Sequence, residues 1–225
     1  MKAMTSEQKQ TAKKQAVKTT RTARSESIYE LVALGLLTAI CFIMCFTPIG
    51  YIKTPFLSVT LMTIPVIISA TVLRPRDAAI IGGVFGLTSF IQAISGMSAL
   101  TGALFQLNPF FTFVLCVVPR VLEGWLGGLI FRGVEKIDKT KFLSYAVGSL
   151  SVPLLNTLLF MSTLFLFFYN SEPIQNIAAD KGANNVLALF TAMVGVQALI
   201  EAGICFVLGT AISKALAVAL KRVKK

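Results

Sequence analysis

Three ionisable side chains interrupt otherwise apolar stretches of this chain: Arg120, Glu123 and Glu201. A charge at the centre of a membrane helix costs at least ~2.5–3.5 kcal/mol, so each of the three needs a partner or a cavity. Arg120 and Glu123 are three residues apart, within pairing distance on one helix. Arg120 then either anchors the carboxylate of an anionic solute, or joins Glu123 and Glu201 in an internal network that locks two helices. Two glutamates already balance one arginine, which favours the network. The amides Asn156 and Gln197 also lie inside apolar runs, where they line a solute site or hydrogen-bond across helices. Gln92 and Asn108 stand near the ends of such runs, at the depth of a pocket open to one side. Lys53 is a lone cation in a loop, either meeting a solute carboxylate or simply exposed.

Other chemistry is excluded by composition. The chain has no histidine, so Ser-His and Cys-His catalysis and the HExxH metalloprotease arrangement are unavailable. The four cysteines (Cys41, Cys45, Cys116 and Cys205) all fall in apolar runs and form no CxxC pair, so they read as small hydrophobes rather than zinc ligands. There is no GxxxxGK[ST] loop for ATP. We therefore expect no catalytic residue, metal or cofactor. An intramembrane enzyme would lack a His base, a Gly-x-Ser-x-Gly elbow and a metal cluster.

The elements that must position these residues are six apolar runs, at about 29–46, 57–73, 77–93, 109–132, 143–169 and 184–212. Each is near the ~17–25 residues that span a bilayer core. With a hydrophobic content of 55%, an ordinary soluble domain is ruled out. Of the 21 Lys and Arg residues, eighteen fall in alternate gaps: the tail from Lys2 to Arg24, Arg74 and Arg76, Arg132 to Lys141, and Lys214 to Lys225. By the positive-inside bias both termini are cytoplasmic. The expected fold is therefore all-α, a polytopic membrane protein of six transmembrane helices. It divides into a basic disordered tail (1–26), a membrane domain (27–215) and a basic tail (216–225). The net charge of +11 belongs to that topology and to anionic lipid, not to nucleic acid. The first run follows a long polar tail and precedes further runs, unlike a cleavable signal peptide.

Local punctuation refines the picture. Ser27 and Glu30 have capping-box spacing before the first run. Pro48 to Pro55 suggests a fixed, extended external loop. Asp77 is placed as N-cap of the third helix, which carries the close-packing pattern Gly82-xxx-Gly86. The uncharged stretch 93–108 should pack over the protein, whereas 170–183 reads as a polar, flexible link. Pro109 suits a helix entry. Gly35 and Ala39 are a small-xxx-small pair in the first run, for docking or for internal packing.

The stretch Ile64-Pro65-Val66-Ile67-Ile68-Ser69-Ala70, through Arg74-Pro75-Arg76-Asp77 into Gly82-Gly83-Val84-Phe85-Gly86-Leu87-Thr88-Ser89, resembles the substrate-binding S components of energy-coupling-factor (ECF) vitamin transporters. The likeness covers about residues 29–215. Together with Asn108-Pro109-Phe110 and Val118-Pro119-Arg120-Val121-Leu122-Glu123-Gly124, it is most similar to the pantothenate type, with riboflavin second. The resemblance implies a vitamin-binding subunit in a bacterial plasma membrane. Such a subunit takes its ligand from outside, docks on a membrane scaffold (T) subunit through an AxxxA motif, topples, and is driven by two cytosolic ATPases. That motif maps onto Gly35 and Ala39, with glycine in the first place. Pantothenate carries one carboxylate, which calls for Arg120 or Lys53. Asn108, Asn156 and Gln197 would read its hydroxyl and amide groups, with Gln92 near the outer end. A stand-alone ion-coupled transporter using Glu123 and Glu201 is the alternative.

Overall fold

The computed structural model describes residues 28–47, 51–54, 57–140 and 142–223, and gives backbone alone at 51–54, 57–60, 196–197, 217 and 219–223. The expected basic tail over 1–26, the Ser27 cap, and Pro48 and Pro55 lie outside the described residues. Residues up to Leu36 form one unit and Leu37 onward another, and each is taken by itself.

The helices are α1 (Ile28–Phe46), α2 (Thr63–Val72), α3 (Pro75–Ile94), α4 (Ala99–Leu107), α5 (Pro109–Glu135), α6 (Phe142–Phe168), α7 (Glu172–Asp180) and α8 (Val186–Val223). Two short strands, β1 (Tyr51–Thr54) and β2 (Leu57–Thr60), pair antiparallel between α1 and α2, with Tyr51 opposite Thr60 and Thr54 opposite Leu57. The loop between the first two apolar runs is thus a hairpin.

Five helices among the described residues are long and apolar enough to cross a membrane: α1, α3, α5, α6 and the Ala198–Leu216 part of α8. The run 57–73 is the exception to the six expected. Its first four residues, Leu-Ser-Val-Thr, enter the hairpin, leaving a helix of ten residues. Ten residues rise about 15 Å, half the hydrocarbon core. The run 184–212 is also not continuous. Gly195 has φ 41° and ψ −148°, which interrupts the helix between Val186–Gly195 and Ala198–Leu216. That conformation is open to glycine and strained for any other residue. Helix α8 then continues to Val223, into the stretch assigned from sequence to the C-terminal tail.

Short α2 is the hub. It packs against α3, α5, α6 and α8, and Thr63, Pro65–Thr71 are all buried. Two of its hydroxyls are satisfied locally: Ser69 donates to the Val66 carbonyl at 2.8 Å and Thr71 to that of Ile67 at 2.9 Å. At its C-terminal end Arg132 of α5 donates to the Leu73 carbonyl at 2.9 Å while pairing with Glu135. Arg132 thereby joins the α5 terminus to the Arg74–Arg76 turn, so two of the basic links share one end of the unit.

Helix α3 lies against α5 along glycines of both. A Cβ on Gly82 would collide with the Arg120 carbonyl, and one on Gly124 with the Ala78 carbonyl. On Gly86 it would come within 2.7 Å of Val117 Cα, and on Gly128 within 2.9 Å of Pro75 Cα. The Gly82-xxx-Gly86 pattern does the packing anticipated for it, met by Gly124-xxx-Gly128 across the interface. Helix α3 starts at Pro75, with Arg74 as N-cap; Asp77 is the third residue in, and its carboxylate accepts from the Arg74 N–H at 3.3 Å. Asp77 therefore closes the cap from inside the helix instead of serving as the N-cap.

At the opposite end, both links expected as loops contain helix. The uncharged stretch packs over the protein as α4, with Leu104 fully buried. The stretch 170–183 is not merely a flexible link, because α7 buries Ile174 and Ala178. These residues join Leu115, Leu164, Phe168 and Leu189 in one apolar cluster, sealed by Phe111 stacked on Phe167 at 4.7 Å. An i,i+4 apolar pair within nine residues is too short a signal to separate such a helix from a turn. Many large apolar side chains face outward, including Leu166, Leu187 and Leu199, each more than 70% exposed. A bilayer is the surrounding in which such a surface is stable.

Candidate substrate-binding site

Arg120 sits on the buried face of α5, 8% exposed. Its guanidinium is held between two aromatic faces, 5.4 Å from the Phe85 ring centre on α3 and 4.5 Å from that of Phe160 on α6. One terminal N–H donates to the Leu115 carbonyl at 3.0 Å. Cation–π contacts of this kind are worth about 2 kcal/mol or more when desolvated. The Nε–H is buried without a partner among the described residues.

Arg120 and Glu123 do not form the direct pair that their spacing suggested. Side chains on a helix lean toward its N-terminus. Arg120 accordingly reaches back to Leu115, away from Glu123, which lies one turn further on. Glu123 is fully buried, and neither carboxylate oxygen has a hydrogen-bond partner among the described residues. It lies within electrostatic reach of both Arg120 and Glu201. Glu201 shares a face of α8 with Cys205, whose sulfur is 3.3 Å from the Thr63 hydroxyl of α2. The three charges therefore converge on one interior, though not as a directly bonded Arg120–Glu123 pair.

Asn156 on α6 is half-buried, and its Oδ1 has no partner among the described residues. It stands one helical turn before Phe160, on the face that meets Arg120. Arg120 Nε and Asn156 Oδ1 are thus buried polar atoms on α5 and α6 without a partner among the described residues.

The other expected site residues part company with these two. Gln92 is buried, and its amide N–H donates to the Cys45 carbonyl at 3.0 Å, tying α3 to the end of α1. Beside it the Cys45 thiol donates to the Thr88 carbonyl at 3.7 Å. Asn108 is the N-cap of α5, its Oδ1 accepting from the Phe111 N–H at 3.1 Å, with Pro109 in the first helical position. Both polar groups have structural partners that sequence spacing did not reveal. Lys53 belongs to β1 and Gln197 follows the Gly195 break, but the side chains of both lie outside the description. Phe85 and Phe160 escaped notice from sequence. The signal was present in Phe160, four residues beyond Asn156.

The four cysteines are buried free thiols, as expected of small hydrophobes. In α1, Gly35 and Ala39 are both exposed, and a Cβ on Gly35 would meet nothing within 4 Å.

A family model, "ECF transporter, substrate-specific component", matches residues 30–213. The chain belongs to this family. It is a multi-pass membrane protein and the substrate-binding subunit of an ECF transporter, not an enzyme. ECF substrate-specific components bind a small molecule and work with an ECF module in the membrane. No curated protein matches the chain.

Proposed function

We propose that this ECF substrate-specific component captures pantothenate, with Arg120 as the anchor for its carboxylate. The supporting observation is the state of Arg120: buried, flanked by Phe85 and Phe160, paired to one carbonyl, and with an N–H still unsatisfied. A buried donor without a partner loses about 1–3 kcal/mol, which a carboxylate would return with the added strength of a charge-assisted bond. Asn156 Oδ1 then accepts from a hydroxyl or amide N–H of the same ligand, which is the polar content of the vitamin. Gln197 and Lys53 complete the ligand's surroundings, while Gln92 and Asn108 act through the α1–α3 tie and the α5 cap. The stretch from Ile64 to Ser89, together with Asn108–Phe110 and Val118–Gly124, resembles the pantothenate type more than the riboflavin type.

Entry is from the outside, beneath the hairpin, with both termini in the cytoplasm of a bacterial cell. The basic turn at Arg74–Arg76 and the Arg132 end of α5 support that orientation. Gly35 and Ala39 form the flat stripe that meets the membrane scaffold subunit. Docking topples the component, and two ATPase subunits supply the energy.

Native mass spectrometry of the purified protein, with chemical identification of the released small molecule, tests the ligand. Pantothenate at one per chain is expected. Riboflavin or another vitamin in its place would replace the ligand assignment. Arg120→Ala should reduce pantothenate affinity at least ~100-fold, the scale of a lost buried charge-assisted bond of about 3 kcal/mol. Unchanged affinity in a folded Arg120→Ala protein would remove Arg120 from the site.

A further inference from the structure

A second recess lies far along the chain from the Arg120 interior, between the first turn of α6 and the last turns of α8. It is an open groove of about 850 Å³, lined by Phe142 together with Phe206, Val207, Thr210, Lys214 and Val218, among others. Its walls are almost wholly apolar, and no acidic residue lines it. The walls belong to two helices long enough to span a membrane, so hydrocarbon is the medium beside them.

Two polar features break the apolar lining. Lys214 Nζ stands 5.1 Å above the Phe142 ring. Thr210, one turn earlier, is 7% exposed, and its hydroxyl has no partner among the described residues. Thr71, Thr112, Thr157, Thr163 and Thr191 donate to the carbonyl four residues back, whereas Thr210, like Thr101 of α4, does not. Thr210 forgoes that bond in the one place where a hydroxyl meets the recess. Glu201 is the last acidic residue in the sequence, so no side-chain carboxylate follows Lys214 along the chain.

The geometry points to a phospholipid site: the recess takes an acyl chain of an anionic phospholipid, with its phosphate at Lys214 and Thr210 donating to a headgroup or ester oxygen. The apolar walls suit a chain, and the cationic rim suits a negative headgroup over a zwitterionic one. The observations concern neither the vitamin nor the scaffold contact. Lipid occupancy and vitamin binding therefore stand or fall separately.

The test titrates full-length protein in detergent micelles with dioleoylphosphatidylglycerol or dioleoylphosphatidylcholine and counts retained lipid by native mass spectrometry. One phosphatidylglycerol should be held at least tenfold more tightly than phosphatidylcholine. Lys214→Gln should bring that preference close to one. Ala215→Phe, which fills the recess from an exposed position, should remove the first adduct of both lipids; Val218→Phe at the mouth is a second filling variant should the first not fold. Equal retention of the two lipids by the parent would overturn the site, as would an unchanged preference in Lys214→Gln. A protein dimer abolished by the filling variants would assign the recess to a second copy of the chain and overturn the lipid reading.

Discussion

Gly82 and Gly83 are neighbours on α3, yet alanine should have opposite consequences at the two positions. A Cβ on Gly82 would run into the Arg120 carbonyl and come 2.9 Å from its carbon, backbone atoms that cannot rotate aside. A Cβ on Gly83 would meet only Val121 Cγ2, at 3.4 Å, an ordinary contact with a movable methyl. Relieving the first clash requires α3 and α5 to separate. Overpacking of this kind costs about 1–3 kcal/mol. Both substitutions gain the same helix propensity, about 0.8–1.0 kcal/mol, so that gain cancels in the comparison. Gly83→Ala should therefore be neutral or slightly stabilising, with Gly82→Ala about 2 kcal/mol below it. For a chain of this size that gap corresponds to roughly 4–8 °C in melting midpoint. The assay is thermal unfolding of both variants in one detergent, followed by the loss of monodisperse protein on heating. Because the clash is with Arg120 itself, Gly82→Ala should also weaken vitamin binding while Gly83→Ala leaves it intact. Midpoints that coincide within about 1 °C would refute glycine-mediated contact between α3 and α5 as the reason for Gly82.

Other perturbations probe the remaining elements. Gln92→Leu should lower stability by about 1–3 kcal/mol by removing the donor to the buried Cys45 carbonyl, read as a fall in melting midpoint; no change would mean the α1–α3 tie is dispensable. Asp138 accepts four hydrogen bonds, from the N–H and hydroxyl of both Thr140 and Ser144, led by the Ser144 N–H, and these hold its carboxyl well below the usual carboxylate range. A carboxyl depressed in the folded state contributes its stability above the unfolded value, about 3.9, and loses it as pH falls from there through the folded value. The midpoint gap between parent and Asp138→Asn should stay constant from pH 7 to 5 and narrow below about 4; a gap that widens in acid would contradict this assignment. If Gly35 and Ala39 meet the scaffold subunit, Gly35→Trp and Ala39→Trp should abolish transport in reconstituted vesicles while leaving vitamin affinity within about twofold. Weakened binding would argue against docking as their role.

The membrane character, the basic links, the close-packing glycines of α3 and the entry of α5 at Asn108-Pro109 were all legible in the chain itself. They rest on composition and on local spacing, which one helix or one turn is enough to express. Membership of the S-component family was legible in the same way, through the stretch from Ile64 to Ser89. Tertiary structure decided the rest. Hydropathy counts apolar residues without regard to whether they form helix, so it could not separate hairpin from helix in 57–73, nor detect the break at Gly195. The small helices α4 and α7 owe their existence to the shared cluster around Leu104 and Ile174, which no window of nine residues reveals. Spacing placed Arg120 beside Glu123, but the backward lean of helical side chains sent the guanidinium to Leu115 and between Phe85 and Phe160. Residues 35 to 75 positions apart in sequence, on three different helices, define the surroundings of that charge. Only the packing of α3, α5 and α6 brings them together, and it leaves Arg120 Nε and Asn156 Oδ1 without a partner among the described residues.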